Sequence, residues 1–295
     1  MKIAVILNGT KSKKSRWFQH YHSVLSTQHE LEIFETKSAG DGIAQTIKAI
    51  DQNPDVVLAA GGDGTLNQVV NGLMQKNSKI PVAIAPLGSG NDFAAICGIK
   101  NQDDLLKKLT TEPVETDLGV INGFSIDGRP EKRFFINVSS IGLGPDVAHL
   151  IENSSRRLGA DLTYILNTVR GFLRQVPVEI IVQTDSVEWK GKIRVLAVAN
   201  GVRFGSGIHI APGAKVDDGL FATFVAGDVP LHEFLYLLMK IKGGVTVNHQ
   251  QIQYGTAKTV RLAGPSGTWL EADGELTCLL PAELTILPSA IRVFR

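Results

Sequence analysis

The sequence predicts an α/β fold joined to an all-β fold. Three observations carry this. Strands and helices alternate through the first 117 residues, strands become frequent after Asp117, and 295 residues suffice for two domains with a sizeable core. The expected division is a doubly wound parallel α/β domain over 1–117 and a mainly antiparallel β domain over 118–287.

Taken in order, Ile3–Leu7 is a short apolar strand, followed by a helix from Ser15 to about Gln28. The basic stretch Lys11-Ser-Lys-Lys-Ser-Arg16 between them reads as a solvated loop within reach of phosphates. Strand Leu31–Phe34 precedes a helix near Gly42–Ile50. Val56–Ala60 is uninterrupted and apolar, which suits a strand covered on both faces of a parallel sheet. After it Leu66, Val69, Val70 and Leu73 recur at i, i+3, i+4 and i+7, one face of a helix. Val82–Ala85 leads through PLGSGND to a short helix. In such a fold ligands bind at the carboxyl ends of the strands, where Asn8, Thr36, the GGDGT turn and Ser89 all lie.

Beyond Asp117, strands are expected at Phe134–Val138, Val178–Gln183, Ile193–Ala199, Leu220–Val225 and Thr259–Leu262, separated by turns such as Asp127-Gly, Asp218-Gly and Asp273-Gly. Two helices interrupt them. One carries the stripe Leu162, Ile165, Leu166, Val169 and Leu173, with Arg170 and Arg174 elsewhere on it, and the other spans Leu231 to Lys240.

Composition narrows the classes. A net charge of +1 advertises no field for nucleic acid. Cys97 and Cys278 form no CxxC pair and no secreted disulfide framework, which points to the reducing cytoplasm. MKIAVILNG is too short an apolar run for a signal-peptide core and reads as the first strand. No apolar stretch approaches the roughly 20 residues that span a bilayer. His20 and His22 lack further metal ligands at suitable spacing. The sequence leaves a homodimer open.

The chemistry starts at Val56–Leu73, VVLAAGGDGTLNQVVNGL. Gly61, Gly62 and Gly64 let a ligand approach the main chain, and the free N–H groups at the helix start favour an anion. Asp63 would repel a phosphate unless a divalent cation stands between them or Asp63 takes a proton from an attacking hydroxyl. Taken alone, the stretch reads equally well as a tight turn capped by Asp63 or Thr65. No GxxxxGK[ST], GxGxxG after a strand, or GxSxG is present. Three further motifs combine with GGDGT: Pro86-Leu-Gly-Ser-Gly-Asn-Asp92, the Asn200–Phe221 stretch ending APGAKVDDGLF, and Trp269-Leu-Glu-Ala-Asp-Gly-Glu275.

In this order the motifs resemble the soluble diacylglycerol kinase catalytic family in its bacterial lipid kinase branch, which is related to sphingosine and ceramide kinases. The resemblance covers essentially the whole chain. It implies an N-terminal nucleotide-binding α/β domain, a C-terminal β-sandwich and an active site in the cleft between them. It implies transfer of the ATP γ-phosphoryl group, with Mg²⁺, to a hydroxyl of a membrane-derived lipid, most readily diacylglycerol to give phosphatidic acid. The terminal ELTILPSAIRVF is similar to the family's last strand pair, so 288–295 can rejoin the first domain. Nucleotide contacts are implied for Asn8, Gly9, Thr10, Lys11, Ser12, Thr36, Gly61, Gly62, Asp63, Gly64, Thr65, Leu66, Asn67, Ser89 and Asn91. Asp273 is implied as general base and Glu275 as assistant to base or metal. Asp63, Asp92 and Asp117 would hold Mg²⁺ and its waters, and the base and metal roles are interchangeable among these carboxylates. A structural Mg²⁺ site is implied at Lys215, Asp218 and Leu220, through two main-chain carbonyls and a carboxylate. Without the resemblance, Asp218-Gly, Asp273-Gly and Asp92 read more plainly as turns and a helix cap.

Two positions depart from the family pattern. The first loop reads Asn8-Gly-Thr-Lys-Ser12 where Asn-Pro-x-Ser-Gly is usual, with Lys13 and Lys14 as substitute cations, and Ala95 stands where an arginine is common. They keep open a nucleotide- or lipid-binding module with weakened catalysis. NAD kinases share the GGDGT turn and are a further reading, against which GSGND and EADGE argue. Peripheral membrane contact is expected through the Leu162–Leu173 helix with Arg156, Arg157, Arg170 and Arg174, the alternative being that its apolar stripe is core.

Overall fold

A computed structural model describes residues 1–143, 160–205 and 207–295. Strands β1 (Lys2–Leu7), β2 (Glu30–Glu35), β3 (Val56–Gly61) and β4 (Val82–Pro86) pair in parallel in the order β4-β3-β1-β2. All six residues of β3 are buried, as an uninterrupted apolar run in a sheet covered on both faces requires. Between the strands run helices α1 (Lys11–Trp17), α2 (Ser23–Gln28), α3 (Asp41–Ile50), α4 (Asp63–Gln75), α5 (Asp92–Ile96) and α6 (Gln102–Leu109). Leu66, Val69, Val70 and Leu73 of α4 are buried in the core with β1 and β3, each contributing about 1.5–3 kcal/mol by leaving water.

The basic stretch is helix rather than loop. α1 starts at Lys11 after an extended Thr10 and passes through a π turn, Phe18–His22, into α2. Trp17, Tyr21 and Leu25 bury one side of this segment and decide its conformation over the charges opposite. α6 was not legible as a helix beforehand. Asn101 starts it by accepting from the Asp104 N–H at 3.1 Å.

The second domain contains β5 (Val114–Phe124), β6 (Pro130–Phe135), β7 (Val138–Gly142), α7 (Ala160–Arg174), β8 (Val178–Thr184), β9 (Glu188–Ala199), β10 (Phe221–Gly227), α8 (Leu231–Lys242), β11 (Ile252–Ala257), β12 (Thr259–Ala263), β13 (Trp269–Ala272) and β14 (Glu275–Val293). Two apolar clusters fill it. One lies among β5, β8, β9, β12, β13 and β14, and the other joins β9 and β10 to α7 and α8.

Two further expectations are corrected. The strand expected over Phe134–Val138 is two strands, because the N–H groups of Ile136 and Asn137 turn to the Asp273 carboxylate instead of a ladder. The expected terminal strand pair is one strand of 19 residues, β14, with register shifts between Leu279 and Glu283 and between Leu287 and Ile291. Its end pairs with β5 and reaches β4 at Val293↔Val82, so the last residues rejoin the first sheet.

Candidate active site

The sheet order places four loops side by side at the carboxyl ends of β1 to β4. Gly9 donates its N–H to the Thr36 Oγ1 at 3.1 Å, joining the first two loops. A Cβ on Gly9 would lie 2.0 Å from the Thr36 carbonyl oxygen, so this loop excludes the proline usual in the family. Asn8 donates from Nδ2 to the Thr65 Oγ1 at 3.3 Å, tying the first loop to the glycine turn. Gly62 and Gly88 bring the third and fourth loops into backbone contact. A Cβ on Gly88 would lie 2.6 Å from the Gly62 Cα. Asn91, with φ of 53°, closes the fourth loop by accepting from the Gly88 N–H and donating to its carbonyl, both at 2.9 Å.

Asp63 opens α4, and its Oδ1 accepts from the Phe93 N–H at 3.1 Å, which caps the start of α5. Asp92 is buried and accepts from the Arg203 Nε at 3.2 Å, an ion pair that crosses to the second domain.

The second domain closes over this floor through the Asp273-Gly274 turn. Both residues have positive φ, 51° and 90°, and join β13 to β14 as a two-residue hairpin. The Asp273 carboxylate accepts four hydrogen bonds. Oδ1 takes the N–H groups of Asn137 at 3.0 Å and Val138 at 3.1 Å, and Oδ2 takes the Asn67 Nδ2 at 2.8 Å and the Ile136 N–H at 2.9 Å. The residue keeps partial exposure, but desolvation pushes its carboxyl up, to about 6, against the downward pull of these donors. Glu275 accepts from the Gln68 Nε2 at 3.1 Å and lies 3.0 Å from where a Gly64 Cβ would be, directly over the glycine turn.

One cavity of about 720 Å³ runs through the site. Its polar end is lined by the Asn8–Thr10 loop, Thr36, Gly62–Thr65, Ser89, Asp92, Asp273 and Glu275. It continues into an apolar chamber walled by residues such as Val195, Ile208, Phe224, Phe234, Leu237 and Ile252.

The expected residues therefore separate into groups. Asn8, Gly9, Thr10, Thr36, Gly62, Asp63, Gly64, Thr65 and Ser89 line the cavity. Lys11 and Ser12 stand outside the lining, where Lys13 takes their place. Gly61 is the buried end of β3, and a Cβ there would lie 2.1 Å from the Thr65 Oγ1. Leu66 packs in the core, Asn67 turns to Asp273, and Asn91 shapes its loop. Asp117 is buried away from the cavity lining, where it accepts from the N–H groups of Gly219 at 2.7 Å and Ser289 at 2.8 Å. Among the described residues, no three or more His, Cys, Asp or Glu side chains are grouped to hold a metal ion. Sequence reasoning did not single out Gln68, Arg203, Asn137 or Glu271. Gln68, Arg203 and Glu271 carried a signal only as letters inside the GGDGTLNQVVNGL, Asn200–Phe221 and EADGE motifs, and Asn137 carried none.

Comparison with known proteins agrees with this geometry. Residues 2–121 match the diacylglycerol kinase catalytic domain, and residues 137–295 match the YegS C-terminal NAD kinase beta sandwich-like domain. A diacylglycerol kinase of Bacillus subtilis (strain 168) is 29% identical over 300 residues, covering 99% of this chain and 96% of that protein. A crystal structure from Bacillus anthracis str. Sterne superposes with a TM-score of 0.79 at 22% identity, covering 99% of this chain and 96% of the other. Yeast NADH kinase complexed with NADH shares the fold at a TM-score of 0.53 and 12% identity, over 99% of this chain and 83% of that one. With both domains matched in order around one shared cleft, the chain belongs to the diacylglycerol kinase family and is a kinase.

Proposed function

We propose that the protein transfers the γ-phosphoryl group of ATP to the hydroxyl of a membrane-derived lipid, with diacylglycerol as acceptor and phosphatidic acid as product. The observation that carries this reading is the single cavity joining the glycine turn to an apolar chamber. A soluble acceptor such as a dinucleotide would leave that chamber without an occupant, whereas acyl chains match its walls.

Phosphoryl transfer is mostly positioning and charge neutralisation. The N–H groups at the start of α4 face the polar end of the cavity and favour phosphate oxygens. Lys13 lines the same end and places a cation there, which Lys11 of the altered first loop does not. Asp63 fits as a Mg²⁺ ligand together with phosphate oxygens and waters, since Mg²⁺ commonly needs only one or two carboxylates beside its substrate. Asp92 is ion-paired to Arg203, and Asp117 is committed to Gly219 and Ser289, so the three aspartates do not form one cage. Bound Mg²⁺ would neutralise phosphate charge. Lys215, Asp218 and Leu220 share the loop that Asp117 holds through Gly219, and their hard oxygens suit a structural Mg²⁺.

Among the described residues no helix is long and apolar enough to cross a membrane, so the acceptor is to be taken from the bilayer surface. On α7 Leu166 and Leu173 are exposed, the latter at 69%, beside Arg170 and Arg174. On α8 Tyr236 and Met239 are exposed beside Lys240. These apolar tips among cations support peripheral contact with anionic lipid. Arg156 and Arg157 lie outside the described residues.

The test is transfer of labelled phosphate from Mg-ATP to diacylglycerol, monoacylglycerol, ceramide, sphingosine and phosphatidylglycerol in mixed micelles, with an NAD arm. Labelled phosphatidic acid is expected. Transfer to NAD alone, or to nothing while ATP still binds, would overturn the reading.

A further inference from the structure

Arg203 reaches across the domain boundary. It stands in the loop between β9 and β10, and its guanidinium Nε donates to the Asp92 Oδ1 at 3.2 Å. Asp92 opens α5 in the first domain, where its side chain is 5% exposed and lines the polar end of the cavity with Gly62–Thr65 and Ser89. A buried carboxylate is costly to hold charged without a cation, and beside phosphates it also repels the ligand. α5 brings no cation of its own. It reads Asp92-Phe-Ala-Ala-Ile96, and Ala95, on the same helix face at i+3, is half-buried and uncharged.

The loop that delivers Arg203 is braced. Asn137 donates from Nδ2 to the Arg203 carbonyl at 2.8 Å, while its own N–H is held by the Asp273 Oδ1 at 3.0 Å. Phe204 and Ile208 exchange backbone hydrogen bonds at 3.0 and 2.9 Å, and both line the cavity. Gly207 has a φ of 103°, and a Cβ there would lie 3.0 Å from the Arg203 Nη2, so the guanidinium rests against a backbone that carries no side chain. Only 28% of the Arg203 side chain is exposed.

We propose that Arg203 is a positioning residue for nucleotide binding, which supplies the Asp92 counter-charge from the second domain so that Asp92 faces phosphates without repelling them. The assignment rests on the reading of the polar end as a nucleotide site. Its consequence is that the first domain gains nucleotide affinity when the second closes over it. Phe204 and Ile208 carry the same closure to the wall of the apolar chamber.

The experiment measures Mg-ATP affinity by calorimetry on the full chain without any acceptor, with urea midpoints alongside. Wild type, Arg203→Ala, Ala95→Arg and the double variant Arg203→Ala/Ala95→Arg are compared. Arg203→Ala is expected to raise the Mg-ATP Kd about tenfold or more, the usual weight of a hydrogen bond to a charged group. Ala95→Arg places a guanidinium beside Asp92 from α5, so the double variant should return Kd to within about threefold of wild type. A contact that merely joined the domains could not be rescued from α5, because the double variant still lacks the bond between them. An Arg203→Ala Kd within about threefold of wild type, or a double variant as weak as Arg203→Ala, would refute the assignment. If Arg203→Ala does not fold, Arg203→Gln, which keeps much of the stem's packing, carries the same comparison. A wild type that binds no Mg-ATP removes the nucleotide reading and this assignment with it, whereas a wild type that binds it beside an unaffected Arg203→Ala removes only the assignment. No lipid enters the measurement, so the acceptor reading stands or falls separately.

Discussion

Asn67 donates from Nδ2 to the Asp273 Oδ2 at 2.8 Å across 206 residues of sequence, and the same amide reaches the Phe134 carbonyl at 3.0 Å. One buried side chain on α4 thus holds the β13–β14 hairpin over the glycine turn. Removing either partner leaves buried donors or acceptors unpaired, at about 1–3 kcal/mol each. Asp273→Ala strands three backbone N–H groups as well as Asn67. It should unfold more readily by about 3 kcal/mol or more and lose transfer activity, as urea titration and the lipid assay would show.

Gly88→Ala should damage nucleotide binding more than stability. Its Cβ would meet the Gly62 Cα at 2.6 Å, and the displaced element is the glycine turn, proposed to hold phosphate, rather than the core. We expect the KM for ATP to rise at least tenfold while the urea midpoint shifts modestly. An unchanged KM would show that the two loops separate without cost.

Asp117 should behave as a structural residue. Its oxygens hold Gly219 and Ser289, which belong to the loop before β10 and to the second register shift of β14. Asp117→Ala is expected to cost about 2–4 kcal/mol of stability and to leave the Mg²⁺ concentration for half-maximal activity unchanged. Asp63→Asn should instead raise that concentration. Both follow from Mg²⁺ titration of activity beside denaturant unfolding.

Stability should fall as pH rises from about 5 to 8. Glu271 titrates near 7 when folded against an ordinary value of 4.5, so the folded state binds more protons across that window. Its contribution is fully present below 4.5 and is lost as pH rises through 7, at most about 3 kcal/mol at 1.36 kcal/mol per unit. Asp273 acts in the same direction. Glu271→Gln should flatten most of this slope in urea midpoints measured between pH 5 and 8.

Filling the chamber should separate acceptors by chain length. Leu237→Trp adds bulk to the wall, so KM for long-chain diacylglycerol should rise severalfold while a short-chain, water-soluble acceptor changes little. Equal effects on both would place the acyl chains elsewhere.

Local pattern alone determined the strands of the parallel half and the helix that follows its glycine turn, though not the helical course of the basic stretch or α6. The apolar run of β3, the helical spacing of α4 and the glycines between them are short-range features whose physics is complete within about 20 residues. The same motifs in order identified the family and many of the residues that line the polar end of the cavity. What only the tertiary structure decided involves partners far apart in the chain. Phe134–Val138 could not be read as a broken strand, because the carboxylate that breaks it lies at Asp273. Asn67 sits on a helix like any other residue until the second domain arrives. Asp117 and Asp92 carry the same formal charge in sequence. The fold buries one against Gly219 and Ser289 and pairs the other with Arg203, so their chemistry differs. Glu271 was one letter of a recognised motif. Burial beside Asp273 is a property of the folded environment, since residue type sets a group's ordinary proton affinity and only its surroundings shift it.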